Sequence, residues 1–413
     1  MVDMANQTCV VIGASHAGVN FAFALRREGW EGDIMLFDSD PEFPYHRPPL
    51  SKAYLTSEEG TLHDLLFPKQ NYHTDNVILK LGKTITTINR TDKCISLSDG
   101  TTQHYDKLVI ATGARPFIPP IKGLNAAKNV FPMRTALDAI SIRKALKNSN
   151  PKVVIIGGGY IGLETAASLK KLGANVTVLE REERVLSRVT APEMSTFFEE
   201  LHSKHDVALL SNKNVTSIEY SNGINEVFCN DNSSYKADVI VVGVGIKVNT
   251  ELAEHAGLNI ENGIKVDHSA KTNDENIYAI GDCTYHFNPH YKRFMRLESV
   301  QNAVDQAKVA AKSICGEEVI YNAIPWFWSD QFDVKLQMVG LSQGYNETIK
   351  RVETDRENCQ SVWYFKDDEL LAVDAVNNAK AYMLGTRFIQ NNQKIDKSKL
   401  ADTSIPIKPL SFI

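Results

Sequence analysis

The stretch VVIIGGGYIGLETAASLKKLGANVTVLE, residues 153–180, carries the residue spacing most able to do chemistry: Gly157-x-Gly159-x-x-Gly162. It follows an apolar strand-like run and opens a helical stretch, and the next strand ends in Glu180. A tight turn needs the first glycine, and a pyrophosphate reaches the backbone only where the second lacks a side chain. The third lets helix and strand pack closely, and the helix N-terminus favours the anion. A carboxylate at the end of the second strand can accept from both ribose hydroxyls and repels a 2′-phosphate, which favours NADH over NADPH. Arg181 and Arg184 beside it leave that choice open. Alone, such a glycine spacing is an ordinary strand–turn–helix connection; here strand, helix and terminal acid are all in register.

Residues 9–38, CVVIGASHAGVNFAFALRREGWEGDIMLFD, repeat the same order with Gly13-x-Ser15-x-x-Gly18 and a terminal Asp38. Serine is small enough for close approach, and its hydroxyl can itself meet a phosphate oxygen. Two copies of one strand–helix–strand unit predict two dinucleotide sites. Gly281 and Asp282 follow a third buried strand and could anchor a polyol, although Gly-Asp at a strand end is by itself a common turn. Shortly after Asp38 comes FPYHRPPLSKAYL, residues 43–55: a stiff, cationic turn holding Arg47 and Lys52 and no cysteine. His16, Cys283 and the charge run 181–184 read by themselves as structural or solvated features.

The elements that must position these residues are legible from texture. Continuous apolar strands indicate burial on both faces, as in a parallel sheet, and Gly29 and Gly173 stand where helix C-terminal glycines belong. YDKLVIATGARP (105–116), ADVIVVGVG (237–245) and NIYAIGDC (276–283) are further buried strands ending in small residues. From Pro325 the pattern alternates like an antiparallel sheet and closes in a helix near 378–391. The fold class expected is α/β: two Rossmann-like dinucleotide-binding domains, for FAD and NAD, plus a C-terminal α+β domain. The boundaries expected are 1–115 with 246–324 for the discontinuous first domain, 116–245 for the second and 325–413 for the third.

The totals narrow the function. A net charge of −5 over 413 residues argues against nucleic-acid binding. Six scattered cysteines with no CxxC suit a reducing cytoplasm and offer no zinc site, so no metal is expected. No apolar run approaches the roughly 20 residues of a membrane span, and the N-terminus has no signal-peptide core. The expectation is a soluble cytoplasmic protein.

The ordered motifs GASHAG, RPPLSK, ATGARP, GGGYIGLE, IYAIGDC, ESVQNA and FWSDQ, with the C-terminal ADTSIP, are similar to those of flavin-dependent ferredoxin reductases. The type resembled is that of putidaredoxin reductase and biphenyl-dioxygenase ferredoxin reductase, within the glutathione-reductase-like fold. The resemblance spans essentially the whole chain, and Ser15 in place of the common glycine is the one departure. It implies FAD along Gly13, Ser15, His16, Ala17 and Gly18, with Asp38 on its ribose. Arg47 and Lys52 would flank the flavin, with Ala111, Thr112, Gly113, Arg134, Gly281, Asp282 and Val300 completing its site. Trp328 would abut the ring, although a tryptophan there also fits the core of the C-terminal sheet. NADH would lie along Gly157, Gly159, Tyr160, Ile161 and Gly162, with Glu180 on its ribose and Gly245 nearby.

The chemistry implied is hydride transfer from NADH to flavin N5, then two single-electron steps to a [2Fe–2S] ferredoxin that supplies a P450 or a ring-hydroxylating oxygenase. Lys52 and Glu164 are the catalytic candidates, the ammonium tuning the flavin and the carboxylate keeping it charged. Disulfide reductases need two cysteines beside the flavin, and peroxide-reducing relatives one in the region of RPPLSK; this chain has neither, so electrons must leave the flavin directly. An apoptosis-inducing-factor-like NADH-sensing dimer and a monodehydroascorbate-reductase-like enzyme remain as alternatives. An acidic ferredoxin calls for a basic patch, with Arg293, Arg296 and Lys335 as candidates that are equally ordinary solvated charges. The chain is expected to be a monomer or weak homodimer.

Overall fold

The structure is a computed structural model that describes residues 6–57, 64–147 and 149–413. It forms two compact units: Met1–His46, Leu62–Arg115 and Lys247–Pro325 make the first, and Arg47–Thr61, Pro116–Ile246 and Trp326–Ile413 the second.

The first unit is built on a five-stranded parallel sheet in the order Ile277–Ala279, Lys107–Ile110, Thr8–Ile12, Asp33–Asp38, Val77–Leu81. Thr8–Ile12 is flanked on both edges and covered on both faces, which is why its apolar residues run without alternation. One face carries the helices His16–Arg27 and Val300–Ile314. Ala303, Ala307, Ala310 and Ala311 of the second are short enough to seat it closely among Val19, Ala22 and Phe23 of the first. On the other face Val10, Ile12, Leu108 and Ile110 pack with Ile85, Ile88 and Ile95 of a small antiparallel sheet. The strand order reverses between Thr8–Ile12 and Lys107–Ile110, so a crevice opens at their carboxyl ends, where open α/β sheets bind ligands.

The second unit repeats the plan. Its parallel sheet runs Ala208–Leu210, Asn175–Leu179, Lys152–Ile156, Val239–Val242, Val130–Pro132, and the order reverses between Lys152–Ile156 and Val239–Val242. The antiparallel sheet expected from Pro325 onward is present, in the order Trp326–Gln331, Val334–Gly340, Glu369–Val376, Gln360–Lys366, Glu347–Val352. Helix Ala379–Gln390 packs against it, capped by the Asn378 side chain, which accepts from the Ala381 N–H at 3.2 Å. Buried Arg351 ties the chain's end to this sheet: it pairs with Glu353 at 2.6 Å and donates to the carbonyls of Leu400, Asp402, Thr403 and Ile405. Residues 47–61, which chain order would place with 1–115, belong to the second unit. Ser51 and Lys52 bond to Glu164, and Arg143 donates to the carbonyls of Tyr54 and Ser57. Among the described residues no helix is long and apolar enough to cross a membrane, and no group of ligating side chains could hold a metal ion.

His286 in the first unit and His202 in the second are fully buried, and desolvation pushes both down to about 4. Between that value and about 6.5 the unfolded chain binds a proton that the folded chain refuses, so stability falls as pH drops through this window, by about 3 kcal/mol per histidine. Asp374, in the second unit, is pushed up to about 7 by burial, its carboxyl receiving the Tyr364 hydroxyl at 2.5 Å. Its sign is opposite: the folded state holds a proton that the unfolded state has lost, and that stability disappears as pH rises through 7. In the second unit the two slopes offset each other. Asp374→Asn is therefore expected to lose stability on acidification from pH 6.5 to 4 faster than the parent, by about 1.4 kcal/mol per pH unit. Urea titrations at several pH values check this; parallel pH slopes would mean that Asp374 is ionised when folded.

Candidate functional site

Both glycine turns have the geometry their sequences predict, for a reason visible atom by atom. Gly13 has φ +110°, and a Cβ there would come within 2.3 Å of the Ala111 carbonyl oxygen; one on Gly18 would come within 1.9 Å of the Gly13 oxygen. Gly157 likewise has φ +110° and faces the Gly243 carbonyl, and a Cβ on Gly162 would lie 2.2 Å from the Gly157 oxygen. Gly159 differs: a Cβ there would meet nothing, so its side of the turn is open.

The terminal acids close onto these turns. Asp38 Oδ2 accepts from the Ala14 N–H at 2.6 Å and Oδ1 from the Asp40 N–H at 2.9 Å. Glu180 Oε2 accepts from the Gly158 N–H at 2.6 Å and Oε1 from the Glu182 N–H at 2.8 Å. Each carboxylate oxygen keeps further lone-pair capacity for a ribose hydroxyl. Of the two arginines beside Glu180, Arg184 is turned inward to the Ser195 hydroxyl at 2.7 Å and the Ser187 carbonyl, while exposed Arg181 pairs with Glu182 at 2.8 Å. A tight glycine turn with an oriented acid closing on it fits a dinucleotide in each unit, and in the second the turn is also open at Gly159.

In the first unit Ala111, Thr112 and Gly113 leave the strand beside the Gly13 turn, and Thr112 is fixed by reciprocal bonds with Asn249 at 2.7 and 2.8 Å. Gly281, at φ +79°, lies so near Ala17 that a Cβ would come within 3.0 Å of the Ala17 Cβ. The Gly281–Asp282 turn therefore neighbours the first glycine turn, its Gly281 N–H held by Gln306 Oε1 at 2.7 Å. Val300 opens the alanine-rich helix, capped by the Ser299 side chain. His16 is buried, its ring edge-on to His46 at 5.5 Å.

In the second unit Lys52 and Glu164 meet: Lys52 Nζ donates to Glu164 Oε2 at 2.7 Å and to the Pro48 carbonyl at 3.1 Å. Glu164 is 2% exposed and Lys52 18%. Two further side chains serve the carboxylate, Ser51 Oγ to Oε2 at 2.6 Å and Ser329 Oγ to Oε1 at 2.7 Å. Sequence reasoning missed both serines. They stand inside the motifs RPPLSK and FWSDQ, but nothing local marks their partner. Arg47 donates to the Arg134 carbonyl at 2.9 Å. Tyr160 donates to Met338 Sδ at 2.8 Å, Ile161 is exposed, and Gly245 takes φ +124° while its carbonyl accepts the Phe117 N–H. Trp328 is half-buried on the strand face opposite Ser329 and Gln331, with its ring 5.6 Å from that of Trp326.

A family model described as pyridine nucleotide-disulphide oxidoreductase matches residues 7–307, and one described as reductase C-terminal matches residues 326–411. The chain belongs to the pyridine nucleotide-disulphide oxidoreductase family. Among the family's characterised proteins it is 40% identical to putidaredoxin reductase from Pseudomonas putida over 411 residues, 98% of this chain and 97% of that one. It is 38% identical to rhodocoxin reductase from Rhodococcus erythropolis over 400 residues, 97% and 93% of the two chains. It matches the crystal structure of the covalent putidaredoxin reductase–putidaredoxin complex with TM-score 0.92 at 39% identity, covering 98% of this chain and 97% of that one. The ferredoxin reductase of the CYP199A2 system from Rhodopseudomonas palustris matches with TM-score 0.94 at 34% identity, covering 98% and 100%. The family and fold expected from the motifs are borne out.

The disulphide in the family's name has no counterpart here. All six cysteines are free; Cys9, Cys229, Cys283 and Cys359 are buried, and desolvation raises each of these four thiols, Cys283 to about 11. Protonated, enclosed thiols are poor partners for thiol–disulfide exchange.

Proposed function

We propose that this protein is an NADH-dependent FAD reductase that passes electrons singly to a [2Fe–2S] ferredoxin serving a P450 or ring-hydroxylating oxygenase. The observation that carries the reading is end-to-end kinship with putidaredoxin reductase in a chain whose turn after Asp38 holds Lys52 and no cysteine. Bound FAD supplies the hydride-accepting and one-electron chemistry that no side chain has.

The chain's own residues bind, orient and bias. Gly13, Ser15, Ala17 and Gly18 would hold the FAD pyrophosphate on the N-terminus of helix His16–Arg27, with Asp38 on the ribose. Gly157, Gly159 and Gly162 would hold that of NADH, and Glu180 would take the ribose hydroxyls and repel a 2′-phosphate. Lys52, paired with Glu164, would raise the flavin potential. The further division is into an FAD domain (1–115 with 246–324), an NAD domain (116–245) and a C-terminal domain (325–413), of which the separate match of residues 326–411 supports the last. A cytoplasmic monomer or weak homodimer completes the reading.

Of the basic candidates for ferredoxin docking, Arg296 is paired with Glu298, whereas Lys335 is exposed. Stopped-flow mixing of the NADH-reduced protein with a [2Fe–2S] ferredoxin is expected to show rapid reduction that slows about tenfold between low and 0.5 M salt, as docking charges are screened. Slow turnover with every ferredoxin, together with a long-lived NADH-induced dimer, would overturn the reading.

A further inference from the structure

We infer that His202 is a positioning residue for the Lys52–Glu164 pair, acting through Gln331 and Ser329. This deepens the function proposed above and rests on it only for what Lys52 does to the flavin.

The argument begins at the end that can only accept. Glu164 sits within helix Tyr160–Lys171, where a carboxylate taken out of water needs full hydrogen bonding. Its Oε2 receives Lys52 and Ser51, and its Oε1 receives the single hydroxyl proton of Ser329. With that one proton given to Glu164, Ser329 Oγ can serve its other neighbour only as an acceptor. Gln331 lies two residues on along the same strand, hence on the same face, and its Nε2 donates to Ser329 Oγ at 3.2 Å. Were the Gln331 amide turned over, its oxygen would face Ser329 and compete with Glu164 for the single hydroxyl proton, weakening that donor to the carboxylate.

What holds the amide is His202. Its Nε2 lies 2.8 Å from Gln331 Oε1, and a ring N–H there excludes the amide NH₂. The ring is fully buried, with Phe332 edge-on at 5.1 Å, and its Nδ1 has no partner among the described residues. With the proton on Nε2 the unmet atom is a lone pair; the other tautomer would bury an unmet N–H and set a lone pair against Gln331 Oε1. Desolvation keeps the ring neutral, its pKa pushed down to about 4. The relay therefore runs one way, from His202 to Gln331 to Ser329 to Glu164. On the opposite side Ser168, one helical turn beyond Glu164, donates to the Ser51 carbonyl at 2.7 Å and steadies the second serine.

The test is reductive methylation of the holoenzyme with mass-spectrometric readout at Lys52, beside the flavin midpoint potential. In His202→Leu the amide is free to turn and the Ser329 donor is drawn away from Glu164. The ionised carboxylate is then less favoured, and Lys52 has a weaker counter-charge to hold its proton. Lys52 labelling is expected to rise about tenfold, the equivalent of one such bond. His202→Gln, which keeps a donor for Gln331 Oε1, is expected to return it to within about twofold of the parent. Ser329→Ala removes the donor to Glu164 Oε1 without touching His202 and is expected to match His202→Leu. The double variant is expected to go no further, because both break one relay.

Unchanged labelling in a folded His202→Leu protein, or His202→Gln behaving like His202→Leu, overturns the proposal. Should His202→Leu not fold, Ser329→Ala together with His202→Gln decides the matter: Lys52 indifferent to Ser329→Ala, or labelled in His202→Gln as in Ser329→Ala, overturns it. Faster labelling with an unchanged flavin potential supports the relay and instead removes the flavin role assigned to Lys52.

Discussion

Lys52→Met is expected to slow flavin reduction by NADH about 100-fold, the scale of removing one preorganised charge from a reacting centre. The same change should destabilise the protein by about 3–5 kcal/mol, because Glu164 keeps its charge in the interior without a counter-ion. Two effects in one variant are ambiguous, since a loosened fold can also slow a reaction. The double variant Lys52→Met with Glu164→Gln separates them. It removes the orphaned charge and leaves an amide that Ser51 and Ser329 can still reach, so most of the stability should return. The rate should not, because the ammonium is still missing. Thermal melts and anaerobic stopped-flow absorbance on both proteins read the two quantities independently. A single variant that is reduced at the parent rate with an unshifted flavin potential would show that Lys52 only braces the fold.

Two of the turn glycines in the second unit, Gly162 and Gly159, should fail in opposite ways. Gly162→Ala places a Cβ 2.2 Å from the Gly157 carbonyl oxygen, a backbone atom that no rotamer change can move. A loss of about 3 kcal/mol or more is expected, with nucleotide binding lost along with the fold of the turn. Gly159→Ala meets open space, at an extended residue with φ −80°, so the backbone accepts it. Its stability cost should stay within about 1 kcal/mol, mostly from alanine being a poor helix cap. Its new methyl group would occupy the place where a pyrophosphate must approach, and the KM for NADH should rise at least about tenfold. Melting temperature and steady-state kinetics, measured side by side, give the contrast. Unaltered NADH affinity in Gly159→Ala would mean that the pyrophosphate does not lie on this turn.

Much of this protein can be read along the chain, and the residues show why. The parallel sheets follow from apolar runs such as CVVI and VVII, which bury both faces and therefore do not alternate. The glycine turns follow from local close approaches: Gly18 against Gly13 and Gly162 against Gly157 are contacts between residues five apart. Asp38 and Glu180 stand at strand ends whose register with the preceding strand brings them to the turn. Each relation is short-range or set by sheet pairing, so spacing and pattern suffice to predict it. The lack of a cysteine in the turn that follows Asp38, which separates this chain from the chemistry of its family's name, is likewise a matter of composition.

The surroundings of Lys52 were decided elsewhere. Lys52 and Glu164 are 112 residues apart, Ser329 is 165 residues beyond Glu164, and His202 reaches Gln331 across 129. Hydrogen bonds over such separations leave no periodicity, because the side chains share neither a turn nor a strand. Ser329 and Gln331 read in sequence only as polar members of an alternating strand, and His202 as one more position on the amphipathic helix Pro192–Lys204. The chain alone determined that two nucleotides can be held and that electrons must leave without a thiol. Only the packing of strand Trp326–Gln331 against helix Tyr160–Lys171 decided which side chains hydrogen-bond the buried Glu164 carboxylate, because there water is excluded and every donor must be supplied by the protein.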